Sequence, residues 1–208
     1  MDIAAVNKRF ERVIQRAFVR PLSSRGYQRV DNQFYLKTGR VGKLLTIQRE
    51  PELMQHGQIV IFTIHVHITS DDFWDLSYPD KSYPSSHSFP FQDSYPYYIL
   101  HRHLGRFYGK LRGDQWLALD STLPEQLMVT YLRNLLSSRI LPYLDKINSI
   151  DDILNEFKIP SSSRMQMLAW LGRRDEAYAE FTKLMASRHQ KGFRINMVGF
   201  AKRIGVIE

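Results

Sequence analysis

The amino-acid sequence predicts an α+β fold: a four-stranded antiparallel sheet packed with helices, followed by a C-terminal helical extension. Three observations carry this. Residues 2–18 place Ile3, Val6, Phe10, Val13, Ile14 and Ala17 at three- and four-residue spacings, with Lys8, Arg9, Glu11, Arg12 and Arg16 on the other face. The stretch Gln58–Thr69 alternates as a strand does. Val60, Phe62, Ile64, Val66 and Ile68 point to one side, and Ile61, Thr63, His65, His67 and Thr69 to the other. Beyond residue 122 the apolar spacing lengthens again to that of helices.

Taken in order, Pro21 and Ser23-Ser24 end the first helix and Gly26 turns the chain. A strand at Gln33–Lys37 and another at Lys43–Arg49 flank the Gly-bracketed turn 38–42. After the alternating strand, residues 70–96 read as a loop rich in Ser, Pro, Asp and aromatics: Phe73, Trp74, Tyr78, Tyr83, Phe89, Phe91 and Tyr95. Loops of that length in compact domains are commonly functional. Phe73 and Trp74, nearest the strand end, are assigned to the core, and Tyr78, Tyr83 and Tyr95 to the accessible surface. A fourth strand is expected at Tyr97–Leu104, and Trp116-Leu117-Ala118-Leu119 is either an edge segment or a core anchor.

Thr122 or Ser121 can cap a helix beginning near Pro124. Its stripe is Leu127, Met128, Tyr131, Leu132, Leu135, Ile140 and Leu141, with Pro142 stopping or kinking it. Ser149 and Asp152 read as another helix start. Pro160 and the serines 161–163 mark the boundary between an α+β domain at 1–158 and a helical extension at 159–208, expected to dock on it. The extension's helices are expected near 164–171, 175–187 and 195–204.

The chain has 208 residues, of which 43% are apolar, enough for a substantial core. It has no cysteine, which excludes a disulfide scaffold, a thiolate zinc site, an iron–sulfur cluster and a cysteine nucleophile. The formal net charge is +8, unevenly spread. Residues 1–50 carry 11 Lys/Arg against 4 Asp/Glu, whereas residues 51–100 carry 1 against 6. Such a surface can steer an acidic protein or a nucleic acid, and equally can be a solvated exterior. The start of the chain reaches charged residues before any apolar run, and no segment is long and apolar enough to span a bilayer. A cytoplasmic location and no membrane partner are therefore expected.

Several short motifs, in order, carry a resemblance: Gly26-Tyr27, Gln33-Phe34-Tyr35-Leu36, Leu45-Thr46-Ile47-Gln48 and Phe62-Thr63-Ile64-His65-Val66. His101-Arg102-His103-Leu104-Gly105-Arg106-Phe107 and Ile140-Leu141-Pro142-Tyr143-Leu144-Asp145 continue them. Over about residues 5–157 the chain resembles the domain-of-unknown-function 4304 family. The resemblance implies a small bacterial α+β domain with no assigned activity. The family pattern has a Cys-His pair before its Gly-Arg step, whereas here Arg102 precedes His103, so no role for that Cys carries over. Separately, Leu171-Gly172-Arg173-Arg174-Asp175-Glu176-Ala177-Tyr178-Ala179-Glu180-Phe181 resembles the turn and second helix of a tetratricopeptide repeat. Only one such unit is visible and an array needs about three, so a plain helical hairpin near 164–187 is expected.

Two His-x-His dyads, His65/His67 and His101/His103, are the candidate metal ligands. Alternate strand residues share a face, so each dyad can offer two imidazoles to one divalent ion, and Asp71 or Asp72 can add a carboxylate. The competing account is a polar sheet face that is merely solvated or covered by the long loop. Beside the dyads, Arg102, Arg106, Lys110 and Arg112 interleave with Phe107, Tyr108 and Trp116, a pattern that can hold phosphates and stack bases. The alternative is pairing of Arg102 and Arg106 with Asp71, Asp72, Asp75, Asp80 and Asp93. The run Gly39-Arg40-Val41-Gly42-Lys43-Leu44 fails as a phosphate loop, because its glycines are too close and no Ser or Thr follows the lysine. Asp151-Asp152 is assigned to a helix start.

The leading expectation is a non-catalytic module that binds a protein partner, with no catalytic residues and no required cofactor. Its binding surface is formed by Tyr78, Tyr83, Tyr95, His101, Arg102, His103, Arg106, Lys110 and Arg112. The alternatives are a hydrolase-like metal enzyme using His65, His67, His101 and His103, and a nucleic-acid-binding protein.

Overall fold

The computed structural model describes residues 3–50, 59–77, 98–109, 115–120, 122–187 and 191–208. Within these, α1 (Ile3–Ile14) runs through a π turn (Gln15–Val19) into α2 (Arg20–Ser23). Strands β1 (Gln28–Val30), β2 (Gln33–Thr38), β3 (Val41–Arg49) and β4 (Ile59–Ser70) follow, then α3 (Asp71–Ser77). Strand β5 (Leu100–His103) leads into a 3-10 turn (Leu104–Tyr108), and β6 is Leu117–Asp120. Helix α4 (Glu125–Leu135), a second π turn (Leu136–Ile140) and α5 (Leu141–Asp145) form one helical path. Helices α6 (Ile150–Asn155), α7 (Ser162–Trp170), α8 (Arg174–Ser187) and α9 (Lys191–Arg203) complete the order.

The sheet is antiparallel, as expected, but has six strands in the order β1-β2-β3-β4-β5, with β6 paired to the opposite end of β4 from β5. The extra strands are β1, too short to show periodicity, and the Trp116–Leu119 segment, which pairs as an edge. The expected loop at 70–96 instead opens with α3, where Asp71 and Asp72 occupy the favourable N-terminal turn. Trp74 is buried and Phe73 packs against Trp170, with ring centroids 5.6 Å apart.

One sheet face carries Phe34, Leu45, Ile47, Phe62, Ile64, Val66 and Ile68, all buried under α1 and α4. Phe10 of α1 meets Phe62 edge-on at 5.2 Å, a favoured aromatic geometry. Lys43 shares this face, buried, with its Nζ donating to Asn148 Oδ1 at 2.9 Å. Burial lowers its pKa, and Asp145 and Asp152 oppose that shift.

Pro21 and Pro142 both lie inside helical paths: the first helix ends at Ser23-Ser24, as expected, and α5 runs on to Asp145. Each follows a π turn by two residues, and the wider turn makes room for a ring that would otherwise clash with the carbonyl four residues back. In a π pattern Pro21 would have to donate to the Arg16 carbonyl and has no N–H to do so. Arg133 of α4 supplies the donors, with Nε and Nη2 at 3.1 and 3.0 Å from Arg16 O. The proline defect thereby becomes a link between the two helices that cover the sheet.

The predicted capping box at Ser149 is present, with Asp152 and Ser149 bonded reciprocally. Helices α7 and α8 form a hairpin whose turn uses Gly172 at φ +75, and Ala177 is fully buried in it. Buried Glu180 accepts from the Ser161 backbone N–H and from Arg164 Nη1 at 2.7 Å, while Arg164 Nε reaches the Leu154 carbonyl of α6. Met165, Leu168, Ala177, Leu184 and Met197 belong to the same continuous buried cluster as the sheet core. No helix among the described residues is long and apolar enough to cross a membrane.

Gly42 tests the packing of the opposite sheet face. A Cβ there would overlap Thr69 Oγ1 and lie 2.7 Å from the Tyr35 hydroxyl. Gly42→Ala is expected to lower stability by about 1–3 kcal/mol, the usual range for overpacking. Chemical denaturation would check this, and an unchanged midpoint would show that the two side chains yield freely.

Candidate metal centre

The register of β4 and β5 builds the site. Position 65 pairs with 103 and position 67 with 101, so two His-x-His dyads running in opposite directions form a two-by-two square of imidazoles. Directly paired residues project to the same side, and alternation keeps each dyad on that side. Along β4 from Thr63 to Thr69 this face is buried, while His101 and His103 of β5 are half-buried. His65 and His67 are each 7% exposed, and Thr63 and Thr69 are buried beside them. Tyr35 and Leu44 form a second small apolar cluster on the same face, with Val30 and Tyr98 packed against it.

Within the square, His65 Nδ1 lies 2.9 Å from His101 Nε2, so one nitrogen carries the shared proton. His103 closes the group, its ring centroid 4.9 Å from that of His65 and 4.1 Å from that of His101. One ring nitrogen from each of His65, His101 and His103 lies within 4.8 Å of the other two. Nitrogens bound tetrahedrally to one ion at about 2.0–2.1 Å stand about 3.4 Å apart, within small side-chain rotations of this arrangement.

His67 stands outside that trio. Its ring stacks on His101 at 4.4 Å and 16° and lies tilted by 32° against Tyr98 at 3.9 Å, and its buried Nδ1 has no hydrogen-bond partner among the described residues. Burial, followed by the neighbouring charges of His101, His65 and His103, lowers its pKa to about 2. At neutral pH this leaves a neutral ring fixed against one of the three grouped histidines.

The carboxylates considered at the strand end are engaged elsewhere. Asp71 pairs with Lys37 at 2.9 Å, and Asp72 and Asp75 both pair with Arg40 in the β2–β3 turn. That turn is Gly39-Arg40, and the rest of the Gly39–Leu44 run is the start of β3, so the segment is a hairpin.

The strip 101–112 is not a single surface. Strand alternation puts Arg102 opposite Val66 on the helix-covered face, away from His101 and His103. It pairs with Glu156 at 3.5 Å and donates to the Glu156 carbonyl at 3.2 Å. It therefore meets α6 rather than the acidic segment after β4, because the helix C-terminus offers both a carboxylate and unsatisfied carbonyls. Arg106 is exposed on the 3-10 turn, Phe107 is buried against Tyr143, and Tyr108 stacks with Tyr131 at 6.4 Å. Tyr78, Tyr83, Tyr95, Lys110 and Arg112 lie outside the described residues. The fourth strand, expected at Tyr97–Leu104, begins only at Leu100, so the alternation that would have put Tyr98 on the side of Leu100 does not apply and Tyr98 lies against His67.

A lowered histidine pKa has a definite sign in stability. Below about pH 6.5 the unfolded chain takes up a proton that folded His67 refuses, so stability falls with falling pH, approaching about 1.4 kcal/mol per unit for one such group. Urea denaturation of wild type and His67→Gln between about pH 7.5 and 5 checks this. The variant should show the shallower slope, and identical slopes would refute the assignment to His67.

No protein-family model, no curated protein and no solved structure matches this chain.

Proposed function

We propose that this chain is a transition-metal-binding protein whose ion is held by His65, His101 and His103. The observation that supports it is the grouping of their ring nitrogens within 4.8 Å of one another on one sheet face, with His65 buried and His101 and His103 half-buried. Imidazole donors without a thiolate or carboxylate favour zinc, nickel, cobalt or copper over magnesium or calcium. Three ligands leave a fourth tetrahedral position for water or a substrate atom, and an ion so placed can acidify that water. His67, with Tyr98 tilted against it, stacks on His101, a contact that restrains the His101 ring. The protein-interaction reading draws its support from the sequence alone, since its three tyrosines lie outside the described residues.

Elemental analysis and thermal unfolding of tag-free protein test the proposal. An ion at about a hundredfold excess over its Kd adds about 2.7 kcal/mol. At this chain length that corresponds to about 5–10 °C in Tm. Zinc or nickel should produce such a rise, magnesium should not, and His101→Ala and His103→Ala should each weaken affinity at least about tenfold. No co-purified metal together with no shift for any transition metal would sink the reading. So would a shift that survives both substitutions.

A further inference from the structure

Helix α1 and its continuation present Lys8, Arg12, Arg16 and Arg20 at four-residue intervals, and all four are exposed. In an uninterrupted α-helix such a row drifts around the axis, because four residues exceed one turn. The π turn at Gln15–Val19 holds more residues per turn and counters that drift, so the row stays on one side. The opposite side of the helix is anchored by Val6, Phe10, Val13, Ile14, Ala17 and Phe18, all buried. The cations therefore project from a rigid rail.

Their charge is only partly answered. Arg12 pairs with Glu125. Arg16 donates to the neutral Gln126 side chain, and among the described residues Lys8 and Arg20 have no ion-pair partner. Glu11, the one acidic neighbour on the helix, pairs with Arg29 at 3.5 Å.

From this geometry we infer that the rail binds the phosphate backbone of a nucleic acid. Twelve residues of helix span about 18 Å, so the four cations suit an extended polyanion and cannot converge on one small anion. A membrane-surface helix must sink an apolar face into lipid, and the apolar face here is already used by the protein core. Evenly spaced cations match the regular spacing of phosphates and carry no base code of their own, so the binding inferred is to the backbone and sequence-independent. The chain's first fifty residues, with 11 Lys/Arg against 4 Asp/Glu, supply a steering field of the same sign. Because α1 packs on the sheet face opposite the histidines, this inference stands apart from the metal reading.

The test is fluorescence anisotropy with a labelled duplex DNA and a labelled single-stranded RNA across a salt series, using the full chain. Three to four phosphate contacts give a log–log salt slope of about −3 for the duplex. The variant Lys8→Glu/Arg16→Glu/Arg20→Glu changes only exposed side chains and should keep the wild-type Tm. It should lose affinity at least about tenfold at about 0.1 M salt and flatten the slope. Absence of wild-type binding, a slope near zero, or equal binding by a folded triple variant would overturn the proposal. Capture by phosphatidylserine vesicles without nucleic-acid binding would overturn it in favour of a lipid surface. If the triple variant unfolds, Lys8→Ala and Arg20→Ala are measured separately, and unchanged affinity in both would overturn it.

Discussion

Strand β4 is buried on both faces, and its pairing register determines what each face contains. On one side Phe62, Ile64, Val66 and Ile68 complete the hydrophobic core, and on the other Thr63, His65, His67 and Thr69 line the polar face. A one-residue slip would exchange the two sets, placing imidazoles under the helices and isoleucines among the histidines. The cost of burying those rings without partners, added to the lost apolar burial, fixes the register firmly. The same constraint extends to β5, where Arg102 can reach Glu156 only because His101 and His103 face away from it.

The helices that cover the core face are held by an unusual compensation. Two prolines fall inside helical paths, and each is accommodated by a preceding π turn rather than by a break. Widening a helix leaves backbone acceptors without donors, and the guanidinium of Arg133 answers one of them across the α4 contact. Arg9 plays a related part on the other side of α1, donating to the Asp120 and Leu123 carbonyls that flank the entry to α4. Long-range side chain to backbone bonds thus set the helices' axial positions, where apolar packing alone would tolerate sliding.

Much of this was legible from residue order, for identifiable reasons. The alternation in β4 and the stripe from Leu127 to Leu141 are strong periodic signals, and both elements formed where that periodicity put them, although Leu127 and Tyr131 of the stripe are exposed and Val129 is buried instead. The candidate histidines were legible as dyads, since spacing by two places both rings on one side of any strand. Their meeting was not, because register between β4 and β5 depends on long-range pairing. Pro21 and Pro142 sit inside their helices because the rule that proline ends a helix assumes an α pattern, and a π turn relaxes the clash behind it. Arg102 misled because closeness in sequence grouped it with its neighbours, although the alternation that puts His101 and His103 on one side puts the residue between them on the other. Lys43 gave no sign of burial, and its partner Asn148 lies 105 positions away.

The histidine square also has a consequence for the unfolded chain. His65 and His101 are 36 positions apart, with His103 two positions further on. An ion shared by the three would act as a removable crosslink around that loop, and the conformational freedom lost on closing such a loop grows only slowly with its length. Much of that freedom has already been given up when β4 and β5 pair, so the folded protein offers the ion a ring closed in advance. Occupancy of the site would then report on whether the central strands are joined, well before it reported on anything done with the ion.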